Sequence, residues 1–373
     1  DTAAGARREE VHFARQLSRH IISTEDGRRY ARRANTLYRP WTHGVGWDLA
    51  VMPYEDRALK KIHELSYELH TLLEVRDVRI PASSHHPSMQ RLARHRKHLI
   101  CYTHADLIDQ ATSERVADWT RESWPEAEFV FVDSREQRGN PEPFRELRAW
   151  LVHATERRGN CALTVGIPNV GKSSMLMAML RGKKKVSVRS TVGKKSSVRK
   201  GAKPSIEDRP GLTRELTQYV LRDSPRLYCL DVPGLSPPNF LLRERPEVFY
   251  ALSAANTLIT PTKHVDSEKL LEAVLVPTVA YVLHSMNRDG CFGYVRKLGL
   301  DEPTDDAEVA LAALESRKRQ TRQAQAVFFL KLLNTGNFGS VLLDDLRRPY
   351  VPFRFRDSHF ERDSHFERDS HFE

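Results

Sequence analysis

The stretch CALTVGIPNVGKSSMLMAML, residues 161–180, decides the fold. It opens on a short apolar run, CALTVGI (161–167), of the kind that forms a buried strand, and it ends in residues with helical character. Between them, Gly166 to Ser174 reads GIPNVGKSS and fits the spacing GxxxxGK[ST]. Strand, glycine loop and helix in that order make a phosphate cradle. Glycine lets the backbone wrap tightly, so successive N–H groups from Asn169, Val170 and Gly171 through Ser174 are expected to point at phosphates, aided by the helix dipole. Lys172 supplies a positive charge to the β- and γ-phosphates, and the Ser173 hydroxyl is suited to ligate Mg2+. The bland alternative is a chance match in a glycine-containing turn; the flanking strand and helix weigh against it.

The strand pattern recurs on both sides of this loop. HLICYTHADL (98–107), EFVFVDS (128–134) and RLYCLDVPG (226–234) are short apolar runs bounded by polar turns and separated by helical stretches. Such alternation predicts an α/β fold with a mostly parallel sheet. A phosphate loop usually stands near the start of its domain, yet here a strand-rich region precedes it. The other elements of a guanine-nucleotide site are present out of order. Downstream, LDVPG (230–234) puts Asp231 after an apolar strand, where it can hold Mg2+ through water, and offers the Gly234 N–H to a γ-phosphate. RPGLTRE (209–215) offers Thr213 as a switch threonine completing the metal shell. Upstream, THAD (103–106) resembles the guanine-reading NKxD, with Thr103, His104 and Asp106 as base-site residues. DSRE (133–136) stands where a second base-contacting loop would lie, offering Ser134 and Arg135.

Composition bounds the rest. At 373 residues and 40% hydrophobic content, the chain has material for two or three domains with real cores. Its net charge of +10 favours a polyanionic partner such as RNA, DNA or an anionic membrane. Cys101, Cys161, Cys229 and Cys291 form no CxxC pair, which speaks against a disulfide framework or a zinc site. No apolar run approaches the roughly 20 residues of a membrane-spanning helix. Residues 1–45 read as a basic extension, either wrapping a partner or disordered, and their mixed charge makes them a poor transit peptide as they stand. From Asp56 to Leu73, Leu59, Ile62, Leu65, Leu69 and Leu72 recur at helical spacing. Residues 181–204, RGKKKVSVRSTVGKKSSVRKGAKP, carry no acidic residue and are expected to form an exposed loop. Residues 46–242 are then the nucleotide-binding domain, 243–346 a helical domain, and 347–373 a tail ending in three copies of RDSHFE. The tail reads as low complexity rather than as a metal site built on His359, His365 and His371.

The order guanine turn, base loop, phosphate loop, switch, DxPG marks the circularly permuted GTPases. The chain resembles the YlqF/RbgA type of ribosome-assembly GTPase, in particular its mitochondrial ribosome-associated branch. DVRIPASSHHP (77–87) is similar to that family's DARIPxSxRNP, and GIPNVGKSS and PGLTR (210–214) match as well. In the helical part, MNRDGCFGYVRKLGL (286–300) and LNTGNFGSVLLDDL (333–346) are collinear looser matches, so the resemblance runs from Trp47 to Leu346. It implies GTP and Mg2+ as ligands, with Asn169 at the position that binds K+ in related GTPases; a polar residue closing a turn is the alternative there. It also implies rRNA, ribosomal proteins of a large-subunit assembly intermediate and other assembly factors as partners, with a monomer on the particle. The place it implies is the mitochondrial matrix, peripheral to the inner membrane.

Two departures bear on activity. NKxD has become THAD, so the base keeps the Asp106 acceptor but loses the family's Asn and Lys; the alternative role for Asp106 is to cap the following turn. Leu235 stands directly after Gly234, where a hydrolytic Gln would orient water. The resemblance implies that a His in an N-terminal PGHM motif replaces it, but this chain reads VMPYED (51–56) there, and His43 is no convincing substitute. No catalytic residue is assigned. Two functions stay open: a GTP-dependent assembly factor with slow or ribosome-dependent hydrolysis, and a catalytically inactive scaffold that binds pre-rRNA. The basic segment 181–204, just before Thr213, either reaches RNA phosphates when nucleotide orders it or is merely solvated.

Overall fold

The computed structural model describes residues 70–351, apart from 95, 135–141, 157–159, 181–187, 191–216, 224–225, 233, 236, 239–240, 243–244, 259–273 and 316–320. Among the described residues, seven strands form one sheet: β1 (Thr71–Asp77), β2 (Lys97–Thr103), β3 (Glu128–Phe131), β4 (Cys161–Val165), β5 (Val188–Ser190), β6 (Thr217–Asp223) and β7 (Arg226–Asp231). Their spatial order is β3-β2-β1-β4-β7-β6-β5. The first four neighbour pairs are parallel, and β6 and β5 add an antiparallel edge.

The helices among the described residues are α1 (Pro87–Ala93), α2 (Gln110–Ser123), α3 (Glu142–Thr155), α4 (Lys172–Leu180), α5 (Pro246–Ala254), α6 (Val276–Arg288), α7 (Gly293–Leu298), α8 (Ala307–Glu315) and α9 (Arg322–Asn334). The period-2 alternation of the strands sorts the core into two faces. Leu73 and Val75 of β1, with Leu99 and Cys101 of β2, join one large apolar cluster that includes α3, α4 and the helices after residue 245. The opposite side holds Leu72 with Met89 and Leu92 of α1, and Ile100 and Tyr102 with Val116 of α2.

That opposite side also buries charge. Glu74 and Arg76, both fully inaccessible, form a bidentate pair at 2.9 and 2.8 Å. His85 and His98 approach the same carboxylate at 2.7 and 3.0 Å, and the Arg76 guanidinium lies 4.0 Å from the Trp124 ring centre. Burial opposes ionisation of Glu74, but Arg76 and His85 outweigh it and hold its carboxyl well below the usual range. This cluster fixes the loop that follows β1.

The structure corrects the sequence reading in three places. Leu72 belongs to a strand, so helical spacing through Leu73 fails at its end; Leu72 and Leu73 bury on opposite faces of the sheet, and Leu72 merely falls in step with the helical period before it. Residues 56–69 lie outside the described residues. Within the basic segment, Val188–Ser190 pairs with β6 as the sheet edge, so 181–204 is not loop throughout. Strand β6 was not anticipated at all. The helical expectation beyond residue 243 meets α5 to α9 among the described residues. Residues 1–45 and the RDSHFE tail are outside those residues.

Candidate nucleotide-binding site

In chain order the sheet grows from β1 through β2 to β3, then returns to β1's other edge with β4. In parallel sheets the crevice beyond the strand ends at such a reversal is where ligands bind. The loops that emerge there end β1 at Asp77, β2 at Thr103, β4 at Val165 and β7 at Asp231. Three of these carry residues singled out by sequence.

After β4 the chain turns at Gly166, whose φ of +155° and position leave no room for a side chain: a Cβ would lie 2.4 Å from the Val75 carbonyl oxygen. Asn169 and Gly171 both adopt left-handed backbone conformations, at φ +57° and +86°. Helix α4 then begins at Lys172, so the N–H groups of Lys172, Ser173 and Ser174 open its first turn without intrahelical acceptors. Lys172 is 7% exposed, and its ammonium donates to the carbonyls of Gly166 (3.0 Å) and Ile167 (2.7 Å). Burial lowers it to about 8, against the opposing pull of Asp231.

Asp231 closes the far side. Ser173 Oγ lies 3.4 Å from its Oδ2, while its buried Oδ1 meets no hydrogen-bond partner among the described residues. Burial raises the carboxyl to about 6, with Lys172 and Ser173 pulling the other way. A buried carboxylate oxygen with nothing to accept, beside a hydroxyl, is a donor set that suits a hard divalent cation. The Leu235 N–H donates to the Gly166 carbonyl at 3.2 Å, and Gly234 packs so closely that a Cβ would sit 2.9 Å from Pro168 N and Cα. The DVPG segment is therefore seated directly on the phosphate loop.

The guanine-type turn reaches the same loop. Thr103, 1% exposed, has its Oγ1 2.6 Å from the Val170 carbonyl oxygen and 3.0 Å from that of Arg76. The threonine that stands in place of Asn in the NKxD pattern thus bonds the turn to the phosphate loop through its hydroxyl. His104 is left-handed at φ +58°, and its Nδ1 lies 3.2 Å from Asp77 Oδ2. Burial opposes ionisation of Asp77, yet Arg79 and His104 outweigh it and keep its carboxyl far below the usual range. Asp106 is the exposed residue of a 3-10 turn, Ala105–Leu107, whose Leu107 is buried. Asp109, not Asp106, caps α2 by accepting from the Thr112 N–H at 2.8 Å. The Ala105 N–H donates to Val132, two residues before Ser134, so the second base loop adjoins the turn. Arg135 and Thr213 lie outside the described residues.

Asn169 has a use that the sequence did not suggest. Its side-chain amide donates to the Asn256 carbonyl at 2.8 Å, tying the phosphate loop to the end of α5. Sequence reading also missed Asp77, Arg79 and Asn334, which stand behind the guanine-type turn. The only available signal was that 77–87 and 333–346 lie in segments resembling the family pattern.

The family described as "50S ribosome-binding GTPase" matches residues 162–275. Mitochondrial ribosome-associated GTPase 1 of Mus musculus is 25% identical over 312 residues, covering 77% of this chain and 87% of the relative. Mitochondrial GTPase 1 of Schizosaccharomyces japonicus is 27% identical over 319 residues, covering 77% and 87%. Among solved structures, GNP-bound YlqF from T. maritima aligns at TM-score 0.45 and 16% identity over 78% of this chain and 99% of that one. A family of this description implies a guanine nucleotide as ligand. The chain is similar to mitochondrial ribosome-associated GTPases over about three quarters of its length, at 24–27% identity, and it folds as a P-loop GTPase-type α/β domain in circularly permuted motif order with a helical C-terminal part.

Proposed function

We propose that this protein is a GTP-binding assembly factor for the large subunit of the mitochondrial ribosome, gripping rRNA in one nucleotide state and releasing it in another. The observation that carries the reading is the hydroxyl of Thr103 against the Val170 carbonyl. A base-reading turn encoded before the phosphate loop is thereby bonded to it. Asp106 pairs with the guanine N1 and N2 hydrogens, a pattern adenine does not offer. Thr103, His104, Ser134 and Arg135 complete the base site. The N–H groups from Asn169 to Ser174 and of Gly234, with Lys172, hold the phosphates.

Ser173, Asp231 and Thr213 hold Mg2+, whose charge neutralises the phosphate oxygens when bound. For K+ the relevant atom is Asn169 Oδ1, since the amide nitrogen already donates to Asn256. GTP engages Thr213 and the Gly234 N–H, and the basic segment 181–204 around β5 meets rRNA phosphates; the helical part from 243 to 346 is the second RNA surface. The names of the relatives support ribosomal partners and a mitochondrial location, here read as the matrix, with ribosomal proteins and other assembly factors nearby and a monomer on the particle.

A second reading, a scaffold that binds pre-rRNA without hydrolysis, is favoured by one observation: Leu235 is buried where a water-orienting side chain would stand. Single-turnover GTP hydrolysis, with and without large-subunit particles and in K+ or Na+, separates the two. Stimulation by particles supports the assembly GTPase; no hydrolysis under any condition supports the scaffold. A binding preference for ATP over GTP would overturn both.

A further inference from the structure

The segment Asn334–Asp344, NTGNFGSVLLD, lies at the end of the helical part, yet Asn334, Ser340 and Asp344 bond to the loop after β1 and to the start of α2 beside the guanine-type turn. Asn334 Oδ1 accepts from Arg79 at 2.7 Å, and its amide donates to the Ala254 carbonyl at 2.8 Å. Arg79 in turn holds Asp77 through both carboxylate oxygens, at 3.0 and 2.6 Å, and Asp77 meets His104 of the turn. Two residues on, Gly336 packs at the turn itself: a Cβ there would lie 3.1 Å from Leu107 Cδ2. Ser340 accepts from the Asp109 N–H at 3.0 Å and donates to Thr112 at 2.9 Å, fixing the start of α2 just beyond Asp106.

The segment's other end is equally committed. Leu343 donates its N–H to the Arg79 carbonyl at 2.9 Å. Asp344 accepts from the N–H groups of Ala82 (2.7 Å) and Ser83 (2.8 Å) and from the Ser83 hydroxyl (2.6 Å). Arg288 of α6 holds the carbonyls of Leu342, Leu343 and Asp344 at 3.0 to 3.3 Å. Both flanks of the turn, at His104 and at Asp109, thus rest on one segment from the far end of the chain.

We propose that residues 334–344 are a positioning element for base recognition, with Asn334 and Ser340 setting where Asp106 stands relative to the phosphate loop. This rests on the reading of 103–106 as the guanine turn. Neither residue touches the base; each acts through the turn, Asn334 by way of Arg79 and Asp77, Ser340 by way of the Asp109 N–H. The phosphate loop has further support in β4 and α4, so the element bears mainly on the base end of the site, with the Thr103–Val170 contact as the link between the two ends. Anything that displaces the helical part, such as docking on a particle, then alters guanine affinity.

The test uses the full chain with Asn334→Ala, Ser340→Ala and the conservative Ser340→Thr. GDP and ADP share ribose and diphosphate and differ in the base, so their dissociation constants are measured for each protein by competition against a fluorescent GDP. Expected is a fall of about tenfold in GDP affinity for the two alanine variants. ADP affinity should hold within about twofold, and Ser340→Thr should bind GDP like the parent. A parallel fall for GDP and ADP, or alanine variants that bind GDP as the parent does, overturns the inference alone. A parent protein that shows no preference for GDP overturns the underlying reading as well.

Discussion

Asp231→Asn should stabilise the nucleotide-free protein while removing its response to Mg2+. In the folded chain the carboxyl of Asp231 is 1% exposed and raised to about 6 from 3.8, chiefly by burial. An acid whose folded value lies above its unfolded one is better protonated in the folded state. Stability from this group is therefore fully present below about pH 4 and is lost as pH rises through about 6. The shift corresponds to a cost of about 3 kcal/mol at pH 7. Asn removes that cost; the opposing attraction of Lys172 is already contained in it, so a rise of up to about 3 kcal/mol at pH 7 is expected. Urea unfolding of both proteins from pH 4 to 7.5 reads this directly: the difference should be near zero at pH 4 and grow toward pH 7. In the same variant, GTP affinity in Mg2+ and in EDTA should agree within about twofold, while the parent gains about tenfold or more from Mg2+. A variant that is less stable at pH 7, a pH-independent difference, or an undiminished Mg2+ effect would refute the assignment of Asp231.

Three further outcomes follow from the same geometry. Thr103→Val keeps the shape but leaves the buried Val170 carbonyl without its donor, costing about 1–3 kcal/mol in urea unfolding and weakening nucleotide binding; Thr103→Ser should restore both. Gly234→Ala drives a Cβ against the Pro168 backbone, so it should lose about 1–3 kcal/mol of stability and bind GTP more weakly than the parent in equilibrium titration. Glu74→Ala strands the fully buried Arg76 and should cost about 3–5 kcal/mol, with a melting temperature too low to miss in a thermal scan.

The phosphate loop was legible because its chemistry is local: glycines, lysine and serine must stand at fixed spacing between a strand and a helix. The apolar runs at 98–107, 128–134, 161–167 and 226–234 likewise foretold β2, β3, β4 and β7, and their order with the loop revealed the permutation. What stayed hidden was non-local. Strand β1 was hidden because Leu72, buried on the face opposite Leu73, falls in step with the helical period of Leu65 and Leu69 before it. The edge strand β5 is short and its neighbour β6 is partly polar, so both draw on pairing rather than composition. Thr103 looked like a damaged guanine motif, and only three dimensions show its hydroxyl in contact with Val170. The contacts of Asn334, Ser340 and Asp344 join residues far apart in the chain, which no single-sequence pattern encodes.

The central claim, that a turn encoded upstream reads the base held by the phosphate loop, is tested most directly by exchanging Asp106 for Asn and measuring GDP against XDP. Xanthine carries an acceptor oxygen where guanine has its amino group, and the Asn amide can donate to it. The account predicts that the parent prefers GDP and that Asp106→Asn prefers XDP, each by about tenfold or more. Identical base preference in the two proteins, with binding intact, would contradict it.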